Sequence, residues 1–151
     1  MKRLLLLIFS VFALHLAAYS QMAEPVIWSY TSEKITDNQY TITLSADIAD
    51  GWYLYSQDLP QRGPVPTKIN FDHNPNIILQ GKPQELGDKK ETYDQNFNMT
   101  VTKFSGKTHF IQKISVTTTV PYVKGTLSYM SCNGQMCMPP RTIKFDVPLK
   151  E

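Results

Sequence analysis

Tyr40-Thr41-Ile42-Thr43-Leu44-Ser45-Ala46-Asp47-Ile48 alternates apolar and polar side chains without a break. Successive side chains of a strand point to opposite faces, so this pattern marks a strand with one face buried and one in water. Upstream, Val26, Trp28 and Tyr30 repeat the alternation. Downstream, Asp50-Gly51 turns the chain into Trp52-Tyr53-Leu54-Tyr55, an aromatic strand with large groups on both faces. The proline- and glycine-rich residues 60–66 read as an irregular loop before a strand at 67–71.

Residues 74–87 hold two prolines and few periodic apolar positions, so the expectation there is loop with one short strand at 77–79. Residues 89–99 form a polar segment carrying Tyr93 and Phe97. Segments 100–104 and 108–118 read as a hairpin pair around Ser105-Gly106. Residues 124–132 are a strand with Leu127 and Tyr129 on one face and Met130 and Cys132 on the other, and Ile143, Phe145, Val147 and Leu149 mark the last strand. No segment sustains a helical period, and ten prolines argue against long helices. Many short strands separated by turn signals indicate an all-β sandwich or barrel, with an immunoglobulin-like β-sandwich as the expected fold.

The N-terminus has a different character. Lys2 and Arg3 precede an apolar run from Leu4 to Leu16 broken by Ser10 and His15, and Ala18-Tyr19-Ser20 follows with small residues where a signal peptidase needs them. This is the pattern of a secretory signal peptide over residues 1–20, with cleavage expected after Ser20 and a single domain over residues 21–151. The apolar run is shorter than the roughly 20 residues of a membrane span, and no later stretch competes with it. Cleavage removes two of 15 basic residues and leaves 13 against 13 acidic ones. A charge-balanced monomer is expected, with no nucleic-acid partner and no membrane span, since nucleic acid and anionic surfaces select a basic excess.

The chain has two cysteines, both in Tyr129-Met130-Ser131-Cys132-Asn133-Gly134-Gln135-Met136-Cys137-Met138-Pro139-Pro140. Asn133-Gly134 is the dipeptide that best tolerates the positive φ angles of a tight hairpin turn. Opposed residues of an antiparallel ladder have Cα atoms about 4.5–5.5 Å apart, within disulfide reach. In an exported chain two cysteines default to a structural disulfide. A staple stabilises by closing a loop, however, and closing four intervening residues gains little. The placement suits exchange chemistry better, because a short-loop disulfide at a turn is easier to reduce.

Three blocks together carry a family resemblance: Gly51-Trp52-Tyr53-Leu54-Tyr55, the segment from Tyr93 through Asp94 to Phe97, and Cys132-x4-Cys137-Met138-Pro139-Pro140. The chain resembles the N-terminal periplasmic domain of the thiol:disulfide interchange protein DsbD over nearly all of its mature length. The resemblance implies an immunoglobulin-like sandwich that, in the family, takes electrons from a thioredoxin-like domain of the same protein and passes them to periplasmic disulfide isomerases and cytochrome-maturation thioredoxins. It implies that Cys137 forms the mixed disulfide and Cys132 resolves it. It also implies that Tyr53 and Tyr55 pack near the pair and that residues 93–99 supply a shielding cap. The transmembrane and thioredoxin-like domains of the full family protein are not in this sequence, so the expected electron donor is a separate thioredoxin-like protein.

Exchange needs an accessible sulfur and a second thiol to release the mixed disulfide, and no organic cofactor. Pro139-Pro140 excludes a helix start whose dipole would acidify a thiol, so thiol pKa values near the ordinary 8.5 or so are expected unless Arg141 lies close. Two other readings stand beside this one. Met130, Cys132, Met136, Cys137 and Met138 gather five soft sulfurs in nine residues, which is ligand chemistry for a Cu(I) carrier. The other is an interaction module in which the disulfide is structural. His73 and His109 have no nucleophile-base arrangement around them in sequence.

Overall fold

The computed structural model describes residues 24–60 and 62–150. The expected signal peptide, residues 1–20, and its cleavage point lie outside the described residues. Nine strands follow in order: β1 (Val26–Thr36), β2 (Gln39–Ile48), β3 (Tyr53–Tyr55), β4 (Lys68–Phe71), β5 (Ile77–Asp94), β6 (Met99–Val116), β7 (Tyr122–Tyr129), β8 (Ser131–Cys132) and β9 (Arg141–Pro148). They form an immunoglobulin-like β-sandwich. One sheet runs β1-β2-β6-β3-β8, with β5 on the other edge of β6; the second runs β4-β7-β9. All pairings are antiparallel.

The alternation in β2 does what its pattern predicts. Tyr40, Ile42, Leu44, Ala46 and Ile48 are buried, and they meet Phe110, Ile114, Val123, Leu127, Phe145 and Val147 between the sheets. Fully burying each large aliphatic or aromatic side chain contributes about 1.5–3 kcal/mol, so this layer supplies most of the driving force for the fold. Gly125, on the middle strand of the small sheet, is a packing requirement: a Cβ there would lie 2.2 Å from the Asn70 carbonyl oxygen and 2.5 Å from Phe145 Cζ.

Two segments differ from expectation. Residues 74–87 were expected to be mostly loop, but β5 is 18 residues long. It is an edge strand exposed along most of its length, so neither face carries the apolar period that reveals a strand. Its pairing skips from Gln80 to Gln84, and Pro83 sits in that irregularity, where no ladder N–H is required of it. Ser105-Gly106 is not a turn either. Residues 99–116 form one strand, and Gly106, at φ +61°, lies in a bulge where Gly87 pairs with Thr108 and Asp88 with Ser105. The hairpin instead closes at residues 95–98, between β5 and β6, with Asn98 at φ +53°.

The length of β6 positions the site. Residues Lys107 to Ser115 pair with β2, and the earlier residues Lys103 and Phe104 pair with the short β3. β3 pairs in turn with β8. The strand expected over 124–132 breaks at Met130, where the chain leaves the small sheet as β7 and enters the large one as β8. The cysteine turn therefore begins at a corner of the sandwich.

Candidate functional site: the Cys132–Cys137 disulfide and its cap

β3 separates the core from the site. Leu54 points into the main core with Phe104, while Tyr53 and Tyr55 point to the other face and join Val101, Met130 and Cys132 in a second buried cluster. Tyr53 is the register partner of Cys132, which puts the two on one face. Cys132 is bonded to Cys137, with the Cα atoms 4.0 Å apart. The two cysteines face each other as an antiparallel bridge, as a hairpin requires, with their Cα atoms closer than the roughly 4.5–5.5 Å expected of ladder partners.

The turn between them works differently from expectation. Neither Asn133 nor Gly134 is among the positive-φ residues. Asn133 acts through its side chain: Oδ1 accepts from the N–H groups of Gln135 and Met136, both at 2.8 Å. Its own N–H donates to the Met136 carbonyl, and the Met138 N–H donates to the Ser131 carbonyl. An asparagine that bonds its own backbone two residues on closes a turn without a left-handed residue.

Asp94, at the start of the cap turn, is 2 % exposed. Its Oδ2 lies 2.8 Å from Tyr55 Oη and 3.1 Å from Tyr53 Oη, and its Oδ1 accepts the Asn96 N–H at 2.9 Å. A buried carboxylate is tolerable only when its lone pairs are filled, and both tyrosines and the turn backbone fill them. Tyr53 Oη also lies 3.2 Å from the Asn133 carbonyl, so it bridges the cap to the cysteine turn. Tyr55 Oη is 3.4 Å from Cys132 Sγ. Burial, then the Asp94 contact, pushes the Tyr55 phenol far above its ordinary range; burial also raises Tyr53. Both stay protonated donors at neutral pH.

Phe97 closes the lid of this arrangement. Its ring stands edge-on to Tyr55 at 5.9 Å, and with Leu59, Met99 and Cys137 it packs against the buried cluster. The loop bearing Leu59 is tied down by Glu85 of β5, which accepts from Ser56 Oγ at 2.8 Å and the Gln57 N–H at 2.6 Å. Thr67 Oγ1 donates to the Tyr55 carbonyl at 2.6 Å, anchoring the loop's other end. The two sulfurs differ in access: Cys132 is fully buried, and Cys137 is partly exposed.

The structure brings Cys132, Cys137, Tyr53, Tyr55, Asp94 and Phe97 together. Tyr93 is 55 % exposed and contacts Asn98 Oδ1, away from the cluster. Pro139 is exposed. Of the methionines read as copper ligands, Met130 joins the buried cluster, Met136 is exposed, and Met138 lies outside it. Among the described residues, no group of three or more His, Cys, Asp or Glu side chains is arranged to hold a metal. Arg141 is ion-paired to Glu24, which also accepts from Tyr129 Oη at 3.0 Å. Sequence reasoning did not single out Leu59, on the loop after β3, or Lys103, which reaches Tyr53 through the register of β6; Asn96 and Met99 lie within the 93–99 segment it did mark.

A sandwich of two antiparallel sheets with one disulfide at a corner, roofed by a hairpin turn, defines an immunoglobulin-like disulfide domain. The chain matches the family described as "Thiol:disulfide interchange protein DsbD, N-terminal" over residues 22–149, and it belongs to that family. The four-residue spacing of its cysteines is not an exact match to the family pattern. The fold is shared with the reduced N-terminal domain of DsbD from Neisseria meningitidis, at 19 % identity and a TM-score of 0.52, covering 82 % of this chain and 85 % of that one. The N-terminal periplasmic domain of ScsB from Proteus mirabilis is similar at 16 % identity and a TM-score of 0.54, over 82 % of this chain and 45 % of that one. The same holds for the complex between the DsbD and PilB N-terminal domains from Neisseria meningitidis, at 19 % identity and a TM-score of 0.51, over 84 % and 88 % of the two chains. No curated protein sequence matches the chain.

Proposed function

We propose that this protein is a periplasmic dithiol–disulfide relay that carries reducing equivalents between thioredoxin-like proteins through Cys132 and Cys137. The observation that carries the reading is the asymmetry of the pair: Cys137 is partly open to a partner while Cys132 is sealed under Tyr55 and the cap. Membership of a thiol:disulfide interchange family supports it, and a Neisseria domain of the same fold has been solved in complex with a PilB domain.

In the reduced protein, the Cys137 thiolate attacks a sulfur of the partner's disulfide. The partner's S–S bond breaks, its released thiolate takes a proton, and a mixed disulfide to Cys137 forms. The Cys132 thiolate then attacks Cys137 Sγ, which releases the partner as a dithiol and leaves the Cys132–Cys137 disulfide. Two electrons have moved to the partner. The same steps in reverse re-reduce the protein at the expense of a second thioredoxin-like dithiol. The Tyr53 and Tyr55 hydroxyls and Asp94 hold the cap and the turn in register, and Phe97 keeps chance oxidants off the pair.

The test is capture. Cys132→Ala leaves Cys137 without its resolving thiol, so incubation with a thioredoxin variant lacking its own second active-site cysteine, its remaining cysteine carried as a mixed disulfide with thionitrobenzoate, should release thionitrobenzoate and accumulate a protein–protein mixed disulfide visible on a non-reducing gel. Cys137→Ala should accumulate little, because its remaining sulfur is buried. Equal trapping by both variants, or by neither, would sink the assignment of roles.

A further inference from the structure

Lys103 sits on the site face of β6, two residues beyond Val101 of the buried cluster and opposite Tyr55 in the β3–β6 ladder. Its ammonium lies 3.7 Å from the centroid of the Tyr53 ring. Among the described residues it has no carboxylate within ion-pair distance, whereas Lys82, Lys89, Lys90 and Lys107 on the same hairpin each have one. Its partner across the β5–β6 ladder is Lys90, and like charges placed opposite each other destabilise a sheet. An uncharged residue would be the more stable choice at this point, unless the ring contact serves a purpose. That ring belongs to Tyr53, whose hydroxyl bridges the Asp94 carboxylate of the cap and the Asn133 carbonyl of the cysteine turn.

We propose that Lys103 is a positioning residue for exchange: by stacking on Tyr53 it clamps the phenol in the cap-to-turn bridge and so sets how readily the cap lifts from the cysteines. A cation over the face of an aromatic ring is held by the ring's quadrupole, and the contact restrains the ring. A small recess lined by Trp52, Tyr53, Lys90 and Lys103 adjoins the half-buried Lys103 side chain, so the clamp can be released without disturbing the core. The inference rests on the reading that residues 95–98 shield the pair.

The experiment follows iodoacetamide alkylation of the fully reduced protein across pH for Lys103→Met, Lys103→Arg, Tyr53→Phe and the Lys103→Met/Tyr53→Phe double variant. Lys103→Met should react roughly two- to fivefold faster, the range a partly exposed cation–π contact supplies, with the pH midpoint unmoved. Lys103→Arg, which also stacks, should stay close to the parent. In the Tyr53→Phe background, where the bridge is already cut, Lys103→Met should add nothing. An unchanged rate, a slower one, a shifted pH midpoint or an equal gain without the Tyr53 hydroxyl would overturn the proposal. A slower rate with a raised midpoint would mean that Lys103 acts on the thiols through its charge. Phe97→Ala, run alongside, separates the two readings: if it too leaves alkylation unchanged, the shielding reading has failed, and if it alone accelerates, only the role of Lys103 has.

Discussion

Tyr53 stands opposite Cys132 in the β3–β8 ladder, and its hydroxyl reaches both the cap, at Asp94, and the cysteine turn, at the Asn133 carbonyl. One side chain thus ties together the strand that carries Cys132, the cysteine turn and the turn at residues 95–98. A three-residue strand fixes the geometry because its middle residue, Leu54, is anchored in the main core.

Tyr55→Phe removes a buried donor 2.8 Å from Asp94 and leaves that carboxylate one partner short. The oxidised protein should lose about 1–3 kcal/mol in urea unfolding, the usual cost of an unsatisfied buried group. Tyr93→Phe, at an exposed position outside the cluster, should stay within about 0.5 kcal/mol of the parent. Equal losses would mean that the Asp94 network contributes nothing.

Alkaline stability follows from the raised tyrosines. Tyr55 and Tyr53 lie above the ordinary 10.0, in both cases chiefly through burial. Below that value folded and unfolded chains hold the phenolic protons alike, so their contribution is fully present. Above it the unfolded chain ionises first, and stability falls as pH climbs toward the folded values. The urea midpoint should be flat with respect to these groups from about pH 7 to 9 and drop beyond about pH 10. Tyr55→Phe should drop less steeply, with Tyr30 and Tyr129, also raised by burial, supplying the remainder.

Phe97→Ala opens the roof over the pair. Oxidised glutathione should oxidise the reduced variant about tenfold faster than the parent, equivalent to about 1.4 kcal/mol off the cost of opening. A rate equal to the parent's would show that the ring at 5.9 Å from Tyr55 is packing without gating.

Gly125→Ala tests the fold away from the site. The new methyl would overlap the Asn70 carbonyl, a backbone atom of β4 that cannot swing aside, and the Phe145 ring. A loss of about 1–3 kcal/mol is expected, with the reactivity of the dithiol unchanged once folded. A neutral result would mean that β4 shifts freely on β7.

The sandwich was legible wherever one strand face is buried. β2 and the final alternating strand read correctly because burial of one face writes a period of two into the sequence, while β3, buried on both faces, is marked by its aromatic residues after a turn. β5 did not, because an edge strand exposed on both faces has nothing to alternate, and its charged residues and Pro83 imitate a loop. Gly106 signals a departure from regular strand, but a turn and a bulge use the same left-handed glycine, and only the partner strand distinguishes them. Of the candidate site, the two cysteines at one turn were legible in their chemistry, whereas the tyrosine pair and the Asp94–Phe97 segment were marked only by the family resemblance. The parts set by register were hidden. Whether Tyr93 or Phe97 faces the disulfide depends on the turn at 95–98, and Lys103 meets Tyr53 only because a single strand spans both β2 and β3.

The central claim is that the Cys132–Cys137 bond exists to be made and broken. Its reduction potential, measured by equilibrating the mature protein against a glutathione or dithiothreitol series, addresses that most directly. A relay requires a value above about −300 mV, where thioredoxin-like partners can reduce it, and that is the result predicted here. A value well below about −300 mV would mark a structural disulfide and contradict the account.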